Sequence, residues 1–236
     1  AQAYPSKTKD FCDVDFSTGS VGLGGAMTIF SSFTQDFLKE NKLLKTKTNK
    51  MISIFGDAEL DEGNIYEALL EGAKHNLKNC WWIIDYNRQS LDGIVYEKLF
   101  EKIINLFELM DWNVEILKYG SKLQKLKKSN SGKKILKWID DCPNDLFSAL
   151  TYQGGKDWRK TLLDVFREDK ETLKLLQSFN NEELNELMTN LAGHDMESLE
   201  NCFSKHLNSD KPTCFICYTV KGFGLPLAGH KDNHSG

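Results

Sequence analysis

The chain has 236 residues, of which 40% are apolar and 27% charged, and its formal net charge is −4. This composition is typical of a soluble globular protein with a sizeable core, and the charge argues against binding to nucleic acid or an anionic membrane. No apolar run reaches the roughly 18 residues that span a bilayer. The opening segment Ala1–Pro5 lacks the pattern of a secretory signal, and the chain begins without an initiator Met, as a fragment would.

The amino-terminal part contains a glycine cluster followed by a predicted helix. Residues to about Ser17 form an irregular lead-in, Gly19–Gly25 is glycine-rich, and Ala26–Asn41 has helical periodicity. The apolar face of that helix consists of Phe30, Phe33, Phe37 and Leu38. No strand precedes the Gly-x-x-Gly-x-Gly cluster, so it is not the dinucleotide-binding fingerprint.

A predicted βαβ unit follows. Met51–Phe55 and Cys80–Ile84 are short apolar runs of strand character, and Asn64–Leu77 between them has helical periodicity. Strands joined in this way are parallel, so their carboxyl ends lie at the same edge of the sheet, where open α/β sheets bind ligands. Asp57 and Asn87 follow the two strands and are expected to come together there.

These residue types suit a magnesium ion and a diphosphate. Mg²⁺ prefers oxygen ligands in octahedral array. The Asp57 carboxylate, the Asn87 amide oxygen and the Gln89 main-chain carbonyl, with two phosphate oxygens, would fill most of that shell. Gly56 would let the backbone approach closely. The alternative is that Gly56-Asp57 and Asn87-Arg88 are merely turns after strands.

The rest of the chain continues the α/β alternation. A helix is predicted over Glu97–Met110, a strand over Trp112–Leu117, mostly helical structure over 157–191, a helix over 195–208 and a strand over Thr213–Val220. The lysines between Lys118 and Lys137 are interpreted as a solvated face, with Ser129–Gly132 as its loosest point. Asn144 and Asp195 are candidate helix caps, and His194 a structural residue at a helix start. The predicted fold is a doubly wound α/β domain with a mainly parallel sheet and helices on both faces.

The six cysteines are scattered through the chain, which suits a reducing, cytoplasmic location. Cys214 and Cys217 have the spacing of half a zinc site, but no second pair is near them in the sequence. We therefore interpret this segment as a buried strand.

Gly56-Asp57-Ala58 followed by Asn87 resembles the Gly-Asp-Gly…Asn signature of thiamine-diphosphate enzymes. The longer segments at 56–62 and 87–93 resemble the first, decarboxylating component of homodimeric-type pyruvate dehydrogenase and related 2-oxo acid dehydrogenases, in the transketolase-like group. The resemblance covers nearly the whole chain. It includes Thr18–Gly24, Asp111–Val114, Ala192–Asp195 and Tyr218–Gly224.

The resemblance implies further site residues. Glu59 is similar to a family residue close to the cofactor, and Gly19 and Val21 correspond to main-chain contacts with its aminopyrimidine ring. Lys221 matches a lysine near the phosphates. His234, and secondarily His230, resemble histidines of a mobile active-site loop, the alternative being a disordered tail.

One residue departs from the signature, since Ala58 stands where the family has its third glycine. If that position has a positive φ or lies against the cofactor, a methyl group there lowers affinity. If its dihedrals are ordinary, the change is neutral. The sequence leaves both possibilities open.

The resemblance implies an enzyme that uses thiamine diphosphate and Mg²⁺ to decarboxylate a pyruvate-like 2-oxo acid oxidatively and passes the acyl group to a lipoyl-bearing acyltransferase. Nothing in the chain resembles the glutamate-bearing pyrimidine domain that the family needs. We therefore expect residues 1–236 to be a single diphosphate-binding domain, the amino-terminal part of a larger enzyme or one subunit of a split one, acting in a homodimer. The alternatives are a transketolase, or its amino-terminal subunit, and a non-catalytic relic of the domain.

Overall fold

The computed structural model describes residues 13–46, 49–87 and 97–234, and of residues 97–100, 231 and 234 it describes only the backbone. Within this part, a four-stranded sheet has the order β1-β2-β4-β3. Its strands are β1 (Met51–Gly56), β2 (Cys80–Tyr86), β3 (Asn113–Leu117) and β4 (Thr213–Tyr218). β1 and β2 pair in parallel. The predicted α/β fold with a mainly parallel sheet is confirmed, and the four predicted strands are present.

The chain divides into two compact units. The first comprises residues 1–85, 96–115 and 205–216, and the second comprises residues 86–95, 116–204 and 217–236. Each is described by itself below.

The helices of the first unit are α1 (Leu23–Glu40), α2 (Gly63–Lys74) and α3 (Glu97–Leu109), and a short 3₁₀ turn covers Asp57–Asp61. The predicted apolar face of α1 is only partly correct. Phe30 and Phe37 are 53% and 61% exposed, whereas the buried face carries Gly25, Ala26, Thr28, Ile29, Ser32 and Gln35. A Cβ at Gly25 would lie 2.7 Å from Ile65 Cδ1, so small residues let α1 pack closely.

The core of the first unit is centred on Trp82. Its ring centroid lies 5.3 Å from Phe55, 5.8 Å from Phe107 and 5.0 Å from Trp112. Its indole N–H donates to Thr28 Oγ1 at 3.0 Å. The polar atom of a fully buried tryptophan therefore has a partner, as a close-packed core requires.

The second unit is mostly helical. Its helices are α4 (Ser121–Leu126), α5 (Asn130–Asp141), α6 (Asn144–Gln153), α7 (Gly155–Val165), α8 (Lys170–Gln177), α9 (Asn181–Met188) and the first part of α10 (Met196–His206). The prediction that Ser129–Gly132 is a loose point was wrong. Ser129 is the N-cap of α5, and its Oγ accepts a hydrogen bond from Gly132 N–H at 2.9 Å.

The two predicted caps, at Asp195 and Asn144, have different outcomes. Asp195 caps α10, because its Oδ1 accepts from Ser198 N–H at 2.9 Å. Asn144 does not cap α6: it is the first residue of the helix, and Pro143 occupies the N-cap position.

Two further findings concern the cysteines of β4 and the length of the helices. Cys214 and Cys217 are buried within β4, as the strand interpretation predicted. Within the described ranges, no helix is both long enough and apolar enough to cross a membrane.

Candidate functional site

The parallel pairing that the site prediction depends on is confirmed. Gly56 at the end of β1 pairs with Asp85 near the end of β2, so the two strands end at the same edge. Asp57 follows directly after β1, and the half-buried Asn87 lies two residues beyond Asp85. That the Asp57 and Asn87 side chains converge stays a prediction, and Gln89 lies outside the described residues.

Asp57 is a buried carboxylate at the first position of the 3₁₀ turn, with 9% of its surface exposed. Its Oδ1 accepts a hydrogen bond from Ala58 N–H at 3.0 Å. Burying a carboxylate is costly unless charge or hydrogen bonds compensate for it. A carboxylate held in this way at the carboxyl end of a parallel strand is a hard oxygen donor of the kind that Mg²⁺ prefers.

The backbone around Asp57 leaves room for a ligand. A Cβ built at Gly56 would meet no atom within 4 Å, so a phosphate could approach this part of the main chain. Among the described residues other than glycine, positive φ values occur at Lys42, Asn76 and Asp111. Ala58 is not among them, so it carries no left-handed strain, and a positive φ is removed as a reason for lower affinity at this position.

A single carboxylate connects the glycine-rich segment to the end of β1. Glu59 Oε2 accepts from Gly22 N–H at 2.8 Å, and Glu59 Oε1 accepts from Gly56 N–H at 3.1 Å. The sequence analysis placed Glu59 near the cofactor but missed this bridge. The bond from Gly56 to Glu59 could have been predicted from the sequence, because an acidic residue at the third position of a helical turn often bonds back to the N-cap N–H.

The glycine-rich segment Gly19–Gly25 runs into α1, which begins at Leu23, and it includes the exposed residues Gly19 and Val21. Gly22 is the N-cap of α1 and has a φ of +79°, and a Cβ there would lie 2.4 Å from Asn64 Oδ1. The Asn64 Nδ2 donates weakly to the Val21 carbonyl at 3.5 Å. Its Oδ1 is buried and has no hydrogen-bond partner among the described residues, so a polar acceptor remains available beside this segment.

In the second unit, Lys221 lies in a turn region that His194 anchors. The Nε2 of His194 accepts from Val220 N–H at 2.8 Å, and its ring stacks on Phe223 with centroids 3.9 Å apart. The Lys221 carbonyl accepts from Gly229 N–H at 2.9 Å. The structural role predicted for His194 is consistent with these contacts, although its anchoring of the Lys221 region was not predicted.

A small recess in the second unit brings two of the predicted site residues together. It is lined by Asn87, Phe147, Ser148, Thr151, Thr219, Val220, Lys221 and Gly229. Asn87 and Lys221 therefore belong to one surface. The lining combines an amide, a cation and hydroxyl groups, which are donors suited to phosphate oxygens.

The two candidate loop histidines, His230 and His234, lie four positions apart in the chain. The His230 ring packs against Tyr152 with centroids 4.6 Å apart, and its Nδ1 accepts from Asp232 N–H at 3.1 Å. His234 ends a 3₁₀ turn over Lys231–His234. The backbone of this segment is therefore folded, and the disordered-tail alternative does not describe residues up to 234.

Each unit by itself offers groups that suit a phosphate or a hard cation. In the first unit, the buried Asp57 carboxylate follows the open backbone at Gly56. In the second unit, Asn87 and Lys221 line one recess. A parallel βαβ unit with a carboxylate after its first strand is typical of α/β proteins that bind phosphorylated cofactors at the carboxyl edge of the sheet.

Residues 4–137 match the family model for the thiamine diphosphate binding domain of transketolase. This is more than half of the 236 residues, and the chain belongs to this family. The predicted resemblance is confirmed.

Curated relatives include several proteins named pyruvate dehydrogenase E1 component. The protein from Haemophilus influenzae is 31% identical over 220 residues, and that from Buchnera aphidicola of Schizaphis graminum is 28% identical over 221 residues. The Escherichia coli K12 protein is 26% identical over 221 residues. Each alignment covers 92% of this chain but 24% of the relative, so the chain spans about a quarter of the length of these proteins.

A solved structure, transketolase from Leishmania mexicana, shares the fold. It superposes with a TM-score of 0.51 at 16% sequence identity, covering 92% of this chain and 22% of that one.

Proposed function

We propose that the chain is the diphosphate-binding domain of an enzyme that decarboxylates a pyruvate-like 2-oxo acid oxidatively and passes the acyl group to a lipoyl-bearing acyltransferase. The observation that supports this most strongly is the similarity to pyruvate dehydrogenase E1 components along 92% of the chain. The domain family itself is a thiamine diphosphate binding one.

In this proposal Mg²⁺ is held by the Asp57 carboxylate, the Asn87 amide oxygen and the Gln89 main-chain carbonyl. Support comes from the burial of Asp57 and from the parallel register that pairs Gly56 with Asp85. Lys221 neutralises phosphate charge, and its place on the same recess as Asn87 is consistent with that role.

The remaining cofactor contacts involve the first unit. Gly19 and Val21 offer main-chain groups to the aminopyrimidine ring. Gly56, Ala58 and Glu59 form the backbone and carboxylate surroundings of the diphosphate end. Ala58 keeps ordinary dihedrals, so the departure from the family signature does not by itself oppose binding.

Thiamine diphosphate, when bound, supplies the electron sink that decarboxylation of a 2-oxo acid requires. This chain positions the cofactor and neutralises its diphosphate. His234, with His230 secondarily, would face the substrate and exchange protons with it, a role for which imidazole is the commonest side chain.

We further propose that residues 1–236 form one cofactor domain of a larger or split cytoplasmic enzyme that works as a homodimer. A second domain, in the rest of the polypeptide or in another subunit, would provide the glutamate for the aminopyrimidine. The fourfold greater length of the relatives supports this organisation.

Transketolase is the second candidate, because the family model that the chain matches describes a transketolase domain. The two can be separated with the full enzyme, thiamine diphosphate and Mg²⁺. Pyruvate-dependent CO₂ release with an electron acceptor, without ketol transfer between sugar phosphates, would support the proposed function. The reverse pattern would support transketolase, and the absence of both activities and of cofactor binding would support a non-catalytic domain.

A further inference from the structure

The Glu59 carboxylate bridges two segments that the proposed function uses for different parts of the cofactor. One oxygen accepts from Gly22 N–H at 2.8 Å, within the glycine-rich segment. The other accepts from Gly56 N–H at 3.1 Å, at the end of the strand that precedes Asp57. All of these groups lie in the first unit. This one side chain therefore links the main chains of the two segments.

The bridge needs a carboxylate of this length. Two N–H donors require two acceptors, and an ionised Glu offers both of its oxygens. Gln has one acceptor oxygen and one NH₂ donor, so one of the two N–H groups would face another donor. Asp has the acceptors but is shorter by one methylene group, so it cannot span both N–H groups from the same backbone position.

A second side chain, that of Asn64, also bonds to the glycine-rich segment. Gly22 is left-handed, with a φ of +79°, and has no room for a side chain. The contact from Asn64 Nδ2 to the Val21 carbonyl is long, at 3.5 Å. The charge-assisted bond from Gly22 to Glu59 is shorter, and it is therefore the stronger of these two hydrogen bonds to the segment that contains Gly19 and Val21.

We propose that Glu59 is a positioning residue that sets the pyrimidine-side segment, Gly19–Gly22, at the correct distance from the diphosphate-side strand end. This rests on the proposed function. Glu59 acts through the main chain of Gly22 and Gly56, so its contribution appears when a ligand must engage both segments at once.

Charge makes the inference testable, because Glu59 is negative and lies two residues from Asp57. Removing its charge should favour a diphosphate on electrostatic grounds. Loss of the bridge should lower the affinity only for a ligand that also contacts the pyrimidine-side segment. A positioning residue and a general structural residue therefore predict different results for two ligands.

The test uses Glu59→Gln in the full enzyme, with Glu67→Gln, an exposed position on α2, as the matched control. Affinity is measured by calorimetry for thiamine diphosphate and for inorganic pyrophosphate, each with Mg²⁺. Glu59→Gln should weaken thiamine diphosphate by about tenfold or more, the size of one charge-assisted hydrogen bond. Pyrophosphate affinity should stay unchanged or rise, and Glu67→Gln should alter neither.

Equal weakening of both ligands, or of neither, would overturn the positioning role. If wild-type enzyme binds no thiamine diphosphate, the proposed function itself fails, which is a separate result. Should Glu59→Gln not fold, Glu59→Asp provides the same comparison. In either variant, amide hydrogen exchange of residues 19–22 should speed up, whereas unchanged exchange there would also contradict the bridge.

Discussion

The carboxylate of Glu59 accepts a hydrogen bond from the main-chain N–H of Gly22, 37 positions earlier in the chain. The same side chain holds the N–H of Gly56. The glycine-rich segment is therefore linked to the strand end that leads to Asp57. Gly22 in this segment has a φ of +79°, which favours glycine. The contact thus joins the glycine cluster, which is a weak signal in the sequence, to the proposed cofactor site at Asp57.

The conformation of Gly22 should make it intolerant of any side chain. In Gly22→Ala, the φ of +79° would cost about 1–2 kcal/mol of unfolding free energy. The added Cβ would also lie 2.4 Å from Asn64 Oδ1 and force that side chain to move. Denaturant unfolding should show this loss. Gly63→Ala is the matched control, since a Cβ there meets nothing within 4 Å; equal stability of the two variants would be inconsistent with the described backbone.

Restoring the family glycine at position 58 should have little effect on cofactor binding. Ala58 has no positive φ, so Ala58→Gly relieves no strain. Its affinity for thiamine diphosphate should change by less than about threefold, while the free energy of unfolding falls by roughly 0.5–1 kcal/mol from backbone entropy. Calorimetry and thermal unfolding measure the two quantities. A gain of about tenfold or more in affinity would instead show that the Ala58 methyl obstructs the cofactor.

Acid stability in the second unit should depend on Asp195. Burial alone would raise the pKa of this carboxyl, but hydrogen bonds from Ser121, Ser198 and Asn190 outweigh it and hold the pKa well below its usual range. A depressed folded pKa stabilises the protein above the unfolded value of about 3.9, and this contribution is lost as pH falls through the folded pKa.

Asp195→Asn should therefore lower the free energy of unfolding by about 1–3 kcal/mol at neutral pH and flatten its decline below about pH 4. Urea unfolding at a series of pH values measures both. Asp164→Asn is the control, because that carboxylate is 81% exposed in a long surface pair with Arg167. Parallel pH profiles for wild type and Asp195→Asn would contradict the assignment.

The described cysteines should resist thiol reagents in the folded protein. Cys80, Cys142, Cys202, Cys214 and Cys217 are all buried thiols. Burial, partly offset by Thr28, raises the pKa of the Cys80 thiol to about 12, so little reactive thiolate exists near neutral pH. In a Cys12→Ser background, labelling at pH 8 should be slow until denaturant is added. Rapid stoichiometric labelling under native conditions would mean that these side chains are accessible.

The βαβ unit and its strand ends were readable from the sequence, because apolar runs stop at Gly56-Asp57 and at Asp85-Tyr86-Asn87. Which residues of α1 are exposed was less predictable. Phe30 and Phe37 share a helix face by periodicity, yet close packing through Gly25 turned α1 so that smaller residues are buried. The outcome depends on tertiary contacts, which outweigh local hydrophobicity.

Local caps and long-range bridges account for most other differences. Ser129 was a recognisable N-cap, but the surrounding lysines and the Ser-Asn-Ser-Gly composition favoured a loop interpretation. The bridge from Glu59 to Gly22 and the contact from Val220 to His194 join residues far apart in the chain. No local pattern specifies such pairs, because they depend on how strands and turns pack together.

The most direct test of the metal site is calorimetric titration of the full enzyme with thiamine diphosphate, with and without Mg²⁺, for wild type and Asp57→Ala. Asp61→Ala is the matched control, since this carboxylate is exposed in the same 3₁₀ turn. We predict Mg²⁺-dependent binding in wild type and Asp61→Ala, and its abolition in Asp57→Ala. Unchanged Mg²⁺-dependent binding in Asp57→Ala would contradict the assignment of Asp57 as a metal ligand.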